Sequence, residues 1–289
     1  MQDLQPQFIQ ANGIEFAYLA MGEGPLVLCL HGFPDTAFTY LDLMQRLSRE
    51  GYRVVAPFTR GYAPTGIPAD GRYTVKDFGK DVLALIAALG EERAYLIGHD
   101  WGATAVYAAA SMGPERILKA VTAAVPHPLA MKFTPQQLKK SWYMFFFQLP
   151  YIAERAVRKN NFALIDRLWS DWSPLLTSED SLELIAALKQ SLAEDRNLLA
   201  ALGYYRELFK PTNFKQTQRL FDQPISVPTL TIAGEFDGCI GAEHFPLMKP
   251  FFSQKFELKI MPGAGHFMHQ EQPDQFSDAI IQFFISKDD

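Results

Sequence analysis

Leu26-Val-Leu-Cys-Leu30 is an unbroken apolar run that stops abruptly at His31-Gly32-Phe33-Pro34. A strand with one wet face alternates apolar and polar side chains. A run without alternation fits a strand covered on both faces, as in a parallel sheet. Parallel neighbours need long crossover connections, and helical patterns supply them. Residues 36–49 form the first, with Thr36 as N-cap and Gly51 beyond its end. Residues 75–89 form the second, an amphipathic helix with Val82, Leu85, Ile86 and Leu89 on one face, stopped by Gly90. Strand-like Arg53-Val-Val-Ala56 lies between them, and Ala94-Tyr-Leu-Ile97 follows. A small-residue helix at 103–112 and a strand at 118–125 continue the alternation. Upstream, Phe8–Ala11 and Ile14–Leu19 flank Asn12-Gly13, the pair suited to a tight hairpin turn. The rhythm predicts an α/β class fold with a mostly parallel sheet.

The rhythm breaks after Val125-Pro-His-Pro128. Residues 129–212 hold no convincing strand and read as successive helices. Thr134-Pro-Gln-Gln137 opens one, with Thr134 capping, Pro135 in the first turn and Gln137 reaching back. Thr177-Ser-Glu-Asp180 opens another, with Leu182, Ile185, Leu188 and Leu192 as its buried stripe. Strands resume at Pro228–Ala233 and Lys255–Ile260, before a closing helix at about 273–286. The domain layout is therefore a core of residues 1–128 and 213–289 interrupted by a helical insert at 129–212. An insert placed after a sheet strand lies over the sheet's C-terminal edge, where ligands bind.

Composition narrows the class. Hydrophobic residues make up 48% and charged ones 20%, enough to bury a large core. The net charge of −5 comes without long blocks of either sign, which argues against nucleic-acid partners. No apolar run approaches the ~18 residues of a membrane span, and Met1-Gln-Asp-Leu-Gln-Pro6 lacks the form of a signal peptide. Cys29 and Cys239 are too far apart for a paired motif and read as free thiols. A soluble, cytoplasmic protein is expected.

Gly98-His99-Asp100-Trp101-Gly102 sits directly after a predicted strand and before a helix. Gly-x-nucleophile-x-Gly is the spacing of a sharp strand-to-helix turn whose glycines avoid collision. Asp100 is either the exposed nucleophile of that turn or a plain helix cap. An aspartate, with an ordinary pKa near ~3.9, is already an anion at neutral pH and can displace a leaving group at saturated carbon. The resulting ester needs a general base. His266, in Gly263-Ala-Gly-His266 after the last strand, is placed for it. Asp237 in Gly234-Glu-Phe-Asp237 is placed to orient that histidine, with Glu235 as the second choice. The chain order of nucleophile, acid and histidine is that of the elbow-bearing fold. The backbone N–H groups of Phe33 and Trp101 would hold the oxyanion of the ester. His266 and His269, with Glu271 nearby, also invite a metal reading, but the loop is not a helix and no third ligand group is evident, so no metal is expected.

These motifs resemble the epoxide hydrolase branch of the α/β-hydrolase superfamily. The resemblance runs through His31-Gly-Phe-Pro34, Arg60-Gly-Tyr62, the Asp100 elbow, Gly234-Glu-Phe-Asp237 and Gly265-His266. It implies the α/β-hydrolase fold, an eight-stranded, mostly parallel sheet flanked by helices with an inserted helical cap. It further implies two cap tyrosines that hold the epoxide oxygen. Trp142-Tyr143 and Gly203-Tyr204-Tyr205-Arg206 match their surroundings, which assigns Tyr143 and Tyr205, with Tyr204 as the register alternative. Phe33, Pro34, Trp101 and Phe147 would line the pocket. The implied substrates are a small apolar epoxide and water, with no cofactor, in a monomer or homodimer. The elbow is shared with haloalkane dehalogenases, and the fold also serves receptor-like binding modules, so both remain alternatives. One departure is the loop Pro57-Phe-Thr-Arg-Gly-Tyr-Ala-Pro-Thr65, which lacks the Asp and the Gly-x-Ser common in the family.

Overall fold

The computed structural model describes residues 4–286. Residues 1–3, which begin the stretch read for a leader, and residues 287–289 lie outside it. So do the side chains of 178–180, on which the Thr177–Asp180 helix start rests.

Eight strands form one sheet: β1 (Gln7–Ala11), β2 (Ile14–Met21), β3 (Leu26–Leu30), β4 (Arg53–Pro57), β5 (Ala94–His99), β6 (Ile117–Ala123), β7 (Thr229–Gly234) and β8 (Phe256–Met261). Their order is β1-β2-β4-β3-β5-β6-β7-β8. The β1–β2 and β2–β4 pairings are antiparallel and every other pairing is parallel. Asn12 and Gly13 both take positive φ, 47° and 74°, as a primed hairpin turn requires. Every residue of β3 is buried, because both sheet faces are covered. Helix α1 (Leu41–Arg49) covers one face, α2 (Val75–Ala88) and α3 (Trp101–Met112) the other. The strand order reverses around β3, so the crevice at the C-terminal ends of β3 and β5 is the natural ligand position.

Between β6 and β7 the described residues form helices and no strand: α4 (Pro135–Lys140), α5 (Trp142–Phe146), α6 (Ile152–Trp172), α7 (Ser178–Ser191), α8 (Asp195–Leu208) and α9 (Pro211–Leu220). The boundary drawn at 212/213 falls inside α9, which packs on α2 and α3 of the core as well as on α8. Helix α6 is interrupted where Asn160, Asn161 and Phe162 take φ of 52°, 55° and 61°. Asparagine tolerates that left-handed conformation, but for Phe162 it costs roughly 1–2 kcal/mol. Its ring is buried, with the Arg158 guanidinium 5.6 Å above it. The chain closes with α10 (Met268–Glu271) and α11 (Pro273–Ile285), and α11 joins α1 on the first face.

Three local expectations are corrected. Thr36 does not cap with its side chain: a 3-10 turn at Ala37–Tyr40 intervenes before α1, and the Thr36 hydroxyl has no partner. Leu182 is exposed and Leu184 turns inward in its place, while Leu188 and Leu192 are buried as expected. Thr134 does cap α4 through the Gln137 N–H at 3.1 Å, but the Gln137 side chain does not reach back. Its amide donates to the Ser141 hydroxyl and the Cys239 carbonyl and accepts from Gly241 N–H, tying the insert to the loop after β7.

Candidate active site

The turn after β5 is held in a conformation that side chains rarely adopt. Asp100 has φ 54° and ψ −119°, a strain of order 1–3 kcal/mol that the surroundings must impose. They do so by close approach. A Cβ on Gly98 would strike the Gly102 carbonyl, and one on Gly102 would strike the Leu30 carbonyl. The Asp100 N–H donates to the Ala123 carbonyl at 3.1 Å, fixing the turn to the end of β6. Asp100 makes no side-chain cap to α3, so the capping alternative does not apply. Its Oδ1 accepts the Phe33 N–H at 2.8 Å, and its Oδ2 lies 3.6 Å from His266 Nε2.

His266 and Asp237 arrive from the C-terminal ends of β8 and β7. His266 Nδ1 lies 3.0 Å from Asp237 Oδ2, while Asp237 Oδ1 accepts the N–H groups of Cys239 at 2.6 Å and Ile240 at 2.9 Å. Glu235 is exposed and accepts from Gly263 N–H, so the structure brings Asp237 to the histidine and leaves Glu235 outside. Two main-chain donors are gathered by one acceptor: the Trp172 carbonyl, at the end of α6, receives the N–H of Gly238 at 3.1 Å and of His266 at 3.0 Å. Burial pushes the His266 pKa down, but the Asp237 charge and the Asp100 carboxylate win and raise it to about 10. Asp100 moves the other way: burial would raise its pKa, and the His266 interaction holds it below the usual carboxylate range. The neighbouring carboxylates thus favour the protonated form of the His266 imidazole. Glu271 turns away from His266 onto Gly265 N–H and the Ser173 hydroxyl, and His269 Nε2 meets the Thr39 hydroxyl at 2.6 Å. The metal grouping of His266, His269 and Glu271 is thus not assembled.

The two insert tyrosines converge on this set. Tyr143 on α5 and Tyr205 on α8 are buried, with ring centroids 5.6 Å apart, and burial followed by neighbouring groups including Asp100 raises both pKa values well above the ordinary phenol value. They are neutral acids at pH 7. Tyr205 Oη has no hydrogen-bond partner although it is buried. Tyr204 instead donates to the Arg60 carbonyl at 2.7 Å, so its hydroxyl is already committed to holding the loop after β4. Phe33 and Phe147 pack edge-on at 5.5 Å, each also against Tyr205, and Trp101 lies 5.2 Å from Tyr205. Pro34 accepts the Trp169 indole N–H at 2.8 Å. All nine singled-out side chains or backbone groups therefore belong to one neighbourhood. A separate small cavity of about 20 Å³ lies beside it, walled by Thr59, Arg60, Phe78, Trp101 and Tyr204 but by neither Asp100 nor His266.

The altered loop after β4 has its own supports. Thr59 N–H donates to His31 Nε2 at 2.9 Å, and Thr65 Oγ1 bridges the Phe58 carbonyl and the Ala17 N–H. Arg60 is buried and paired with Asp81 through two bonds of 2.5 and 2.6 Å.

Several groups escaped the sequence. Cys239, read as a bland thiol, has its Sγ 3.2 Å from Tyr143 Oη. Its position two residues after Asp237 was the available signal. Asp35, His99 and His269 form a buried cluster behind His266. His99 Nε2–H donates to the His266 carbonyl at 2.9 Å, and burial pushes Asp35 up to about 7 and His269 down to about 3. His99 sat inside the elbow motif, but nothing in its spacing showed which way it faced.

Comparison with known proteins agrees with this geometry. The alpha/beta hydrolase fold family matches residues 25–273. The AB hydrolase superfamily protein YfhM of Bacillus subtilis is 36% identical over 98% of this chain and 99% of its own. Epoxide hydrolase 4 of Homo sapiens is 32% identical over 95% of this chain and 77% of its own. Among solved structures, an epoxide hydrolase from Vigna radiata superposes with TM-score 0.83 at 26% identity, covering 98% of both chains. One from Bacillus megaterium, in complex with an inhibitor, gives 0.82 at 25%, covering 97% of this chain and all of that one.

Proposed function

Because the chain belongs to the alpha/beta hydrolase fold family, and within it to the epoxide hydrolases, we propose that it converts apolar epoxides and water to vicinal diols through a covalent ester of Asp100. The observation that carries this reading is the unpartnered, buried Tyr205 hydroxyl beside Tyr143, both within the field of the Asp100 carboxylate. Asp100 attacks an epoxide carbon, the C–O bond breaks, and a phenol hydroxyl delivers its proton to the departing oxygen. A positioned acid of this kind contributes about 10²–10⁴-fold. Phe33, Trp101 and Phe147 give the pocket apolar walls, which favours aryl or alkyl epoxides. Residues 129–212 act as the lid that carries the two phenols.

The charge arrangement links the two half-reactions. While Asp100 is ionised it helps to keep His266 protonated. Esterification removes that negative charge, so the His266 pKa falls, its proton returns to the phenolate, and a neutral imidazole becomes available. That imidazole, oriented by Asp237, takes a proton from water as the water attacks the ester carbonyl. The N–H groups of Phe33 and Trp101 hold the oxyanion. Collapse expels the diol oxygen, which takes its proton from the new Asp100 carboxyl, and the resting charges return. Water-derived oxygen stays in Asp100.

Single turnover in heavy-oxygen water followed by peptide mass analysis tests this. Label is expected in the Asp100 carboxylate, and His266→Gln is expected to accumulate the ester. Label confined to the diol overturns the covalent route. Halide release from a bromoalkane with no diol from any epoxide would favour a dehalogenase instead.

A further inference from the structure

We propose that Cys239, His266 and Asp100 form a binding site for a thiophilic divalent cation, with zinc as its type. The chemistry of the three donors is the first ground. A thiol sulfur, an imidazole nitrogen and a carboxylate oxygen make up a zinc ligand set, and their ligand atoms all lie within 4.8 Å of one another. With Zn–S near ~2.3 Å and Zn–N and Zn–O near ~2.0–2.1 Å, tetrahedral geometry asks for N···O separations of about 3.3 Å. His266 Nε2 and Asp100 Oδ2 are already 3.6 Å apart. The remaining adjustment falls mainly on Cys239, a short side chain with a single rotatable χ angle.

The second ground is independent of the cysteine. His266 Nε2 is fully buried and faces this space, where its ion-pair partner Asp100 Oδ2 stands 3.6 Å away, beyond hydrogen-bond range, while its Nδ1 is held by Asp237. A metal-ligating histidine whose other nitrogen is fixed by a carboxylate is the common support of a zinc site. Asp237 thus serves as the outer partner without any rearrangement. Binding forms three coordinate bonds and sends the Cys239 thiol proton and the His266 Nε2 proton to solvent. No electron changes hands. Tyr143 loses its sulfur contact, and a water or hydroxide takes the fourth position. Any ion held here occupies the carboxylate and the imidazole together, so occupancy and turnover at Asp100 exclude each other. Cys29 has no part in this, because it lies inside β3 among apolar side chains on the α1 face of the sheet.

Titration of the full chain with Zn²⁺ by calorimetry, and with Co²⁺ by absorption, tests the site without reference to any reaction. One ion per chain is expected, with a thiolate-to-cobalt charge-transfer band. Cys239→Ala, and Cys239→Ser which keeps a hydroxyl near Tyr143, should each abolish the band. Each should also weaken zinc by about 10²-fold or more, since even supporting residues of metal sites cost up to that much. Cys29→Ala should keep both signals. A band that survives in the two Cys239 variants, or zinc affinity unchanged in them, overturns the assignment. So does the absence of stoichiometric binding in the parent protein.

Discussion

A methyl group added at position 32 has to enter space that the Asp100 turn already fills. The Cβ of alanine there would lie 2.5 Å from Asp100 Cβ and from the Trp101 nitrogen, and closer still to Asp100 Oδ1. Ordinary contact begins near 3.4 Å, so the carboxylate and the turn must retreat by roughly 1 Å. The Phe33 N–H, now 2.8 Å from Oδ1, loses its aim in that move. A displacement of that size costs on the order of 10²-fold in a positioned reaction, and loss of one oxyanion donor costs about 10²–10³. The two losses share one cause and are not additive, so Gly32→Ala is expected to slow diol formation by about 10²–10³-fold. Overpacking should also lower stability by about 1–3 kcal/mol. Single-turnover kinetics followed by tryptophan fluorescence measures the first, and thermal melting by circular dichroism the second. Gly66→Ala is the control: the nearest atom to its Cβ is 3.6 Å away, and its rate should match the parent. If folded Gly32→Ala turned over within threefold of the parent, the close fit between the His31–Pro34 turn and Asp100 would not control the chemistry.

Tyr204→Phe and Tyr205→Phe should separate: the first loses the bond to the Arg60 carbonyl and about 1 kcal/mol of stability with little loss of rate, the second loses about 10²–10⁴-fold in ring opening at unchanged stability. Steady-state rates and melting curves on both variants check this. Arg60→Met strands the Asp81 charge in the core and should cost about 3–5 kcal/mol in urea unfolding, and adding Asp81→Leu should recover at least half of it. Burial lowers the His266 pKa, yet its carboxylate partners raise it to about 10. Its contribution to stability is therefore complete below the free-imidazole value near ~6.5 and is lost as pH rises toward 10. Urea midpoints should fall between pH 7 and 10 in the parent and fall less in His266→Gln.

The sheet and the triad were legible because each rests on a local constraint that the sequence displays. Unbroken apolar runs mark buried strands, and the residues that follow β5, β7 and β8 must emerge at one edge of a parallel sheet. That brings Asp100, Asp237 and His266 together with no knowledge of side-chain detail. The insert offered no such rule. Tyr204 and Tyr205 are adjacent on α8, about 100° apart around its axis, and only packing decides which one faces Asp100. Leu182 failed for a similar reason: a helix with apolar residues at 182, 184, 185, 188 and 192 has more than one plausible buried stripe, and the neighbours selected Leu184. Gln137 was legible as a capping residue but found better partners in the loop after β7. Cys239 carried only its place two residues after Asp237 as a signal, since its contact is with Tyr143, 96 residues upstream.

The Trp172 carbonyl bears on how this enzyme can be rebuilt. A chimera that exchanged residues 129–212 for a foreign lid would also replace the acceptor that pins Gly238 and His266, and with it Ser173, whose hydroxyl receives the Phe267 N–H. The insert is therefore not a detachable part resting on a finished scaffold. Its helix α6 supplies a wall of the scaffold. Grafts that keep Trp172 and Ser173 in place and vary α4, α5, α7 and α8 around them should preserve the triad while changing the pocket.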